Sequence, residues 1–326
     1  MKDDYILSIC IPTYNRCDAL EECLNTIVSD PAFSKDIEII ISDNCSTDNT
    51  ELLVSRYVNK YYNIKYYRND YNTGADRNVL LSLEHGTGQY LKLLNDYSIF
   101  LPGGLAFLLK CIKDNFENKP VIYISRKLVP GKEHISITSL DELLSVEQWG
   151  LSWIGNYGYW KDDFSSFEAK DRRIDTMFLQ VDWLIRSFKI KKEIAYYSHP
   201  ITWRRPFKTK QGGYNFFKIH TESYFVQFQE LVDKGELKES SLELAKKDVL
   251  RGLMYWVIVL RFDKKHFSYE STDQFRILKE QFGKYKWFYP VALRGTLGAF
   301  KQLFMEGFVI PKYRKFIKPI VKYKRK

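Results

Sequence analysis

YILSICIPTYNR, residues 5–16, is the stretch on which the fold turns. Residues 5–11 run apolar almost without a break. A strand with one wet face alternates, whereas a strand buried on both faces reads as a continuous apolar run. The run stops at Pro12, and a polar cluster follows at once: Thr13, Tyr14, Asn15 and Arg16. Then DALEECLNTIV (18–28) takes up helical spacing, with Asp18 as candidate N-cap.

The same sequence of events recurs down the chain. IEIIIS (37–42) reads as a second strand, and STDNTELLVSRYV (46–58) as a helix with Ser46 and Thr47 as cap candidates. IKYYR (64–68) is a short third strand, followed by the helix GADRNVLLSLEHG (74–86). QYLKLL (89–94) is a fourth strand, PGGLAFLLKCIKDN (102–115) a helix opened by Pro102, and VIYIS (121–125) a fifth strand. Strand and helix in alternation imply right-handed crossovers and a mostly parallel sheet. The expected class is therefore α/β, a Rossmann-like mostly parallel sheet flanked by helices.

Past residue 126 the rhythm changes. DELLSVEQW (141–149) and QVDWLIRSF (180–188) look helical, and between them lies a segment rich in Trp, Tyr and Asp. HPITWRRPFKTKQGGYNFF (199–217) reads as a loop dense in cations and glycine. From about 215 the chain is mostly helical, SLELAKKDVLRGLMYWVIVLRF (241–262) being the clearest case. The expected division is a first domain over 1–215, with a nucleotide-binding half (1–105) and an acceptor half (106–215), and a mainly helical C-terminal extension over 216–326.

The chain of 326 residues is 45% hydrophobic and 28% charged, which excludes a disordered protein. Its net charge of +10 favours an anionic partner. The tail 301–326 carries most of that excess, and interleaves its cations with aromatic and aliphatic residues as interfacial membrane segments do. Contact with an anionic membrane surface is the expectation for the tail; a solvated tail and nucleic-acid binding are the alternatives. The five cysteines show no CxxC spacing and read as reduced thiols of a cytosolic protein. The N-terminus lacks a charged-then-apolar leader, and LMYWVIVL (253–260) is too short to span a bilayer.

The chemistry should sit in the loops after the parallel strands, because open α/β sheets bind ligands at their carboxyl edge. Those loops are PTYNR (12–16), SDNCSTD (42–48), NDYNTGADRN (69–78) and NDYS (95–98). Each polar residue alone is explained as a turn former; four clusters at four strand ends are better explained by a ligand. Together they suit a nucleotide. Tyr14 can stack on a base, and Asp43 can accept from a base N–H. Gly74 admits close approach of the backbone, and Arg77 offers a planar fork to a phosphate. No GxGxxG follows the first strand and no GxxxxGK[ST] occurs, so dinucleotide and P-loop readings fall.

LSICIPTYNR, IEIIISDNCSTDNT, NTGADRN and GQYLKLLND together resemble the nucleotide-binding half of the family 2 glycosyltransferases, the inverting enzymes of GT-A fold. The likeness covers about residues 5–105 and is closer to bacterial members that build O-antigen or capsule chains, abequosyltransferase-like enzymes included. It implies a hexosyltransferase-class enzyme that takes a nucleoside-diphosphate sugar, commonly a UDP-sugar, and transfers the sugar with inversion to a hydroxyl of a glycan or lipid-linked oligosaccharide. It implies a cytoplasmic place, peripheral on the inner face of the cell membrane, in surface polysaccharide (lipopolysaccharide or capsule) synthesis. By position, the resemblance gives the nucleotide-sugar contacts to Pro12, Thr13, Tyr14, Asp43, Arg77 and Asp96, and the same loops add Arg16, Asn44, Asn72, Gly74 and Asn95 as candidates.

The chain departs from the family at one place. Relatives read Asp-x-Asp where this sequence has Asp96-Tyr97-Ser98. A neutral hydroxyl is a poor ligand for Mn²⁺ or Mg²⁺, leaving Asp96, weakly Ser98 and weakly His199 as metal candidates. Three outcomes are open: weak metal binding through Asp96 and water, neutralisation of the diphosphate by cations elsewhere, or an impaired catalyst that only binds a nucleotide-sugar or glycan. The candidate cations are His199, Arg204, Arg205, Lys208 and Lys210, on the expected lid. Inverting transfer also needs a general base. Asp182 and then Asp175 are the candidates, ahead of Asp162 and Asp163. Trp153, Asn156, Tyr157 and Trp160 are candidate acceptor contacts, with core packing an equal reading for the rings.

Overall fold

The computed structural model describes residues 5–204, 214–262 and 269–302. The chain divides into two compact units, Met1–Thr209 with Ser223–Leu242, and Lys210–Glu222 with Glu243–Lys326.

The first unit carries the expected α/β order. Strands β1 (Leu7–Thr13), β2 (Ile37–Asp43), β3 (Ile64–Arg68) and β4 (Tyr90–Leu93) alternate with helices α1 (Cys17–Val28), α2 (Thr50–Lys60) and α3 (Ala75–Glu84). The continuous apolar runs become strands buried on both faces: β2 is buried at every position. Helix α1 buries Leu20, Cys23, Leu24 and Ile27, the i, i+3, i+4, i+7 stripe of a helix lying on a sheet. Its N-terminus differs from expectation. Asp18 lies inside the first turn, and the Cys17 N–H donates instead to Asp48 Oδ2 (3.0 Å), while Asp48 Oδ1 accepts from the Thr50 N–H (3.0 Å) at the start of α2. One carboxylate thus serves both helix starts, where Ser46 and Thr47 were the expected caps of α2.

The remaining elements of this unit are β5 (Ser98–Phe100), α4 (Gly104–Asp114), β6 (Val121–Ser125), β7 (His134–Ile137), α5 (Leu140–Val146), β8 (Gly158–Trp160), α6 (Lys161–Ser166), α7 (Leu179–Lys191), β9 (Ile194–Ser198), β10 (Thr202–Arg204) and α9 (Ser223–Asp233), with α8 (Phe216–Thr221) falling in the second unit. The main sheet has the order β3-β2-β1-β4-β8, parallel except for β8. The order reverses at β1, between β2 and β4, and the crevice at the carboxyl ends of β1 and β4 is the switch point at which such sheets place ligands.

One strand departs from the sequence reading. VIYIS (β6) does not extend the main sheet but pairs with β9 in a second sheet of order β6-β9-β7. Its expected place beside β4 belongs to Gly158–Trp160. Gly158 makes this possible: a Cβ there would stand 2.4 Å from the Tyr90 ring. Thr202–Arg204, expected as loop, pairs antiparallel with Ser98–Phe100.

The second unit is helical, as expected of the C-terminal region: it holds α8, most of α10 (Glu239–Phe262), and α11 (Gln274–Phe282). Asn215 caps α8 by accepting from the Phe217 and Lys218 N–H groups. Leu278, Phe282 and Phe288 are buried in it. No helix among the described residues is long and apolar enough to cross a membrane. All five cysteines stand as unpaired thiols.

Candidate active site

The loops after β1 and β4 meet at the switch point. Asp96 lies at the end of β4, is almost fully buried, and is held from three sides. Its Oδ2 accepts from Thr13 Oγ1 (2.9 Å), and Arg16 Nη1 donates to Oδ1 (3.0 Å) and Oδ2 (3.3 Å). Burial pushes its carboxyl up, opposed by the Arg16 charge and by hydrogen bonds from Thr13, Arg16 and the Tyr14 N–H. Beside it Asn95 Nδ2 and Ser98 Oγ are buried without a hydrogen-bond partner. Tyr14 is 39% exposed, so its ring has a free face, as stacking requires.

The loops after β2 and β3 are built by amide side chains. Asn44 Oδ1 accepts from the Thr73 N–H (2.9 Å) and Asn69 Nδ2 (3.0 Å), while its Nδ2 donates to Asn72 Oδ1 (2.7 Å) and the Gly74 carbonyl (3.2 Å). Gly74 adopts φ +89°, a conformation that favours glycine, and the helix α3 starts directly after it. Asp43 is fully buried. It accepts from the Ser46 N–H and hydroxyl, from Tyr66 Oη (2.6 Å) and from Arg68 Nη1 (3.2 Å). A carboxylate has about four acceptor positions, so a base N–H can reach Asp43 only by displacing one of these donors. Both Asn44 amide atoms are spent on shaping the loops, whereas Asn72 gives them its Oδ1 alone. Arg77 pairs with Asp171 (3.0 Å).

Asn78 went unread in the sequence. Its Oδ1 accepts from Ser42 Oγ (2.8 Å) and its Nδ2 donates to the carbonyls of Ser42 (2.9 Å) and Thr13 (3.3 Å), stapling the ends of β1 and β2. Arg126 also went unread. It stands directly after β6, and the rule that flagged polar residues at strand ends flags it too.

The candidate bases separate clearly. Asp182 is buried and gripped by Arg172, whose Nε donates to both oxygens at 3.0 Å and whose Nη2 also donates to Oδ1, with Arg186 at 3.8 Å. Both Asp182 oxygens are engaged by Arg172, which leaves less room for an acceptor hydroxyl there than at the exposed Asp175. Asp162 pairs with Lys119 and Asp163 with Lys191. Asp175 is exposed and makes no ion pair among the described residues. It sits in a pinned turn. Asp175 (φ +68°) and Met177 (φ +66°) both take left-handed backbone, and the buried Asp76 carboxylate accepts from the N–H groups of Met177, Asp175 and Thr176. Burial raises the Asp76 carboxyl to about 6 against those hydrogen bonds, with the Asp175 charge raising it further.

The candidate acceptor contacts also separate. Asn156, Tyr157 and Trp160 are buried: Asn156 Nδ2 donates to Tyr123 Oη (2.9 Å), Tyr157 Oη to the Leu151 carbonyl (2.6 Å), and Trp160 Nε1 to the Pro120 carbonyl (2.7 Å). They are core groups, and only the half-buried Trp153 remains for a ligand. His199 stacks on Phe107 with ring centroids 4.0 Å apart. Among the described residues no three His, Cys, Asp or Glu side chains converge as a metal set. Of the expected lid only His199 and Arg204 are described; Arg205, Lys208 and Lys210 lie outside the described residues, as does 303–326 of the tail.

Residues 8–136 match the model of the family described as glycosyl transferase family 2. The abequosyltransferase RfbV of Salmonella typhimurium is 44% identical over 104 residues, 32% of this chain and 31% of that protein. The GalNAc(5)-diNAcBac-PP-undecaprenol beta-1,3-glucosyltransferase of Campylobacter jejuni is 32% identical over 111 residues, 34% of this chain and 35% of its own. The chain thus spans about a third of the length of these curated relatives. Among solved structures, a mannosyltransferase from Pyrobaculum calidifontis in complex with GDP-Man and Mn²⁺ aligns with a TM-score of 0.49 at 13% identity, over 91% of this chain and 86% of that one. A likeness of that degree carries no argument about chemistry.

Proposed function

We propose that the protein is an inverting glycosyltransferase that moves a sugar from a nucleoside-diphosphate donor to a hydroxyl of a glycan or lipid-linked acceptor, in bacterial surface polysaccharide synthesis. The observation that carries this reading is the junction of Thr13, Arg16 and Asp96 at the switch point of a sheet whose segment 8–136 matches the family. In this reading the nucleoside lies between Tyr14 and the Asn44–Gly74 loops, and its diphosphate points toward the Asp96–Ser98 turn. Asp175 takes the acceptor proton. The acceptor is read by residues of 106–215, with Trp153 the one of the four named candidates that is not buried.

The deciding experiment is a panel of UDP-, GDP-, CDP- and dTDP-sugars, scored for released nucleotide with and without acceptor lipid. Turnover of one donor is the expected result. Tight binding of a nucleotide with no turnover of any donor would favour a binding protein instead. The basic aromatic tail 301–326 supports a place at the membrane surface. Removing 311–326 is expected to lower co-sedimentation with anionic vesicles, and more so than with neutral ones; equal binding of both forms would refute the membrane role.

A further inference from the structure

The Asp96–Ser98 turn is surrounded by arginine. Arg16 and Arg204 both lie against the Tyr97 ring, their Cζ atoms 5.5 and 5.6 Å from its centroid. Arg204 and Arg126 share Trp153, at 6.0 and 5.4 Å, and Arg126 also lies 5.1 Å from the Trp203 centroid. Trp153 in turn packs edge-on to Tyr97. Arg204 faces Ser98 across the β5–β10 ladder. The three guanidiniums therefore form one continuous group joined by aromatic rings.

Asp96 meets Arg16. Arg126 makes no ion pair among the described residues, and burial and the like charge of Arg204 both lower its affinity for its proton. Like charges gathered at one indole make the place attractive to an anion. The buried Asn95 Nδ2, Ser98 Oγ and Trp153 Nε1 lack partners. A buried donor without an acceptor is costly, and an oxyanion removes that cost.

The same turn does not fit a divalent cation. Both Asp96 oxygens are engaged by Thr13 and Arg16, and residue 98 supplies only a hydroxyl. Mg²⁺ and Mn²⁺ at nucleotide sites are held by at least one free carboxylate together with the phosphates, and the one carboxylate of this turn is already taken by Thr13 and Arg16.

We propose that Arg126 and Arg204 bind the donor diphosphate directly, in the role that a metal ion at an Asp-x-Asp motif would have, so that transfer proceeds without a divalent cation. The inference rests on the nucleotide-sugar reading above. As the acceptor oxygen bonds to the anomeric carbon, the bond from that carbon to the β-phosphate oxygen breaks and its electron pair stays on the diphosphate. The acceptor's proton passes to a carboxylate, and the guanidiniums hold the charge that develops on the leaving diphosphate.

Titration calorimetry with UDP, CDP, GDP and dTDP and with the matching monophosphates tests this, each in EDTA and in Mn²⁺. The parent protein should bind its preferred diphosphate equally in both. Arg126→Gln should weaken that diphosphate about 10- to 100-fold while changing the monophosphate about threefold or less, the range of a charged hydrogen bond. Arg126→Lys should recover part of the loss, which a role in packing alone would not give. A diphosphate affinity that collapses in EDTA overturns the inference and leaves the nucleotide reading standing. So does equal weakening of monophosphate and diphosphate. A parent protein that binds no nucleotide of the panel overturns both. A melting curve of Arg126→Gln that matches the parent's ties any loss to the site.

Discussion

Asp175→Asn is expected to lower the rate of sugar transfer by about 10²- to 10⁴-fold while leaving donor affinity unchanged, the usual loss when a general base is removed. The residue stands apart from the other candidates because its carboxylate is exposed and no ion pair among the described residues claims it. The turn that carries it is anchored at several points: Arg77 to Asp171, Arg172 to Asp182, Arg173 to Glu230, and Asp76 to the backbone of 175–177. A general base must be held in a fixed place, and such anchoring fixes this turn. Asparagine keeps the left-handed backbone at this position without strain, so the variant should fold normally. Single-turnover transfer with saturating donor reads the rate, and calorimetry reads the affinity. A rate within about threefold of the parent's would remove Asp175 from the reaction, since even a modest proton-transfer role exceeds that. Asp182→Asn is the informative partner variant. Asp182 is buried but Arg172 is half exposed, so that change should cost about 1–3 kcal/mol and first lower the melting temperature.

Much of the architecture could be read from hydrophobic pattern alone. The uninterrupted runs of β1 and β2 identify strands buried on both faces, and their alternation with amphipathic helices determines a parallel sheet. The rule that ligands gather at strand ends picks out Thr13, Arg16 and Asp96, which the fold brings into one hydrogen-bonded junction. What pattern does not carry is partnership. Asp43 and Asp182 look like available carboxylates in sequence, yet their acceptors are filled by Tyr66, Arg68 and Arg172, which lie 23, 25 and 10 residues away. Tyr157 and Trp160 look equally suited to stacking on a sugar and to a core. Gly158 decides between them by letting this segment pack against Tyr90, and no propensity encodes that. β6 was misplaced because an apolar run specifies burial but not which sheet supplies it.

Lys92→Ala is expected to cost about 3–5 kcal/mol of stability, through the cavity it leaves and the acceptors it abandons. Lys92 sits inside β4, in a run that otherwise reads as purely apolar. Its amine is fully buried and donates to the carbonyls of Gly155 (2.6 Å) and Tyr157 (2.9 Å). Burial lowers the ammonium from its ordinary value to about 7, and no carboxylate offsets this. The sign of the pH dependence follows. Between about 7 and 10.5 the unfolded chain keeps the proton that the folded chain has released. The stability contributed by this group is therefore complete above the upper value and is lost as the pH falls through the lower one. Stability of the parent should rise from pH 7 to 9, approaching about 1.4 kcal/mol per pH unit above about pH 8, on account of this one group. Lys92→Met keeps the length and apolar stem, so it should lose less stability than the alanine variant and should abolish that slope. Urea unfolding at pH 7, 8 and 9 separates the cases: a slope unchanged in Lys92→Met would mean that the amine is charged throughout. The effect reaches the site as well. The two carbonyls that Lys92 holds bracket the turn directly after Trp153, the ring shared by Arg126 and Arg204. Loosening that turn should weaken diphosphate binding in Lys92→Ala and spare nucleoside monophosphate binding. A strand residue with no access to the ligand would then set the geometry of the anion site through two hydrogen bonds.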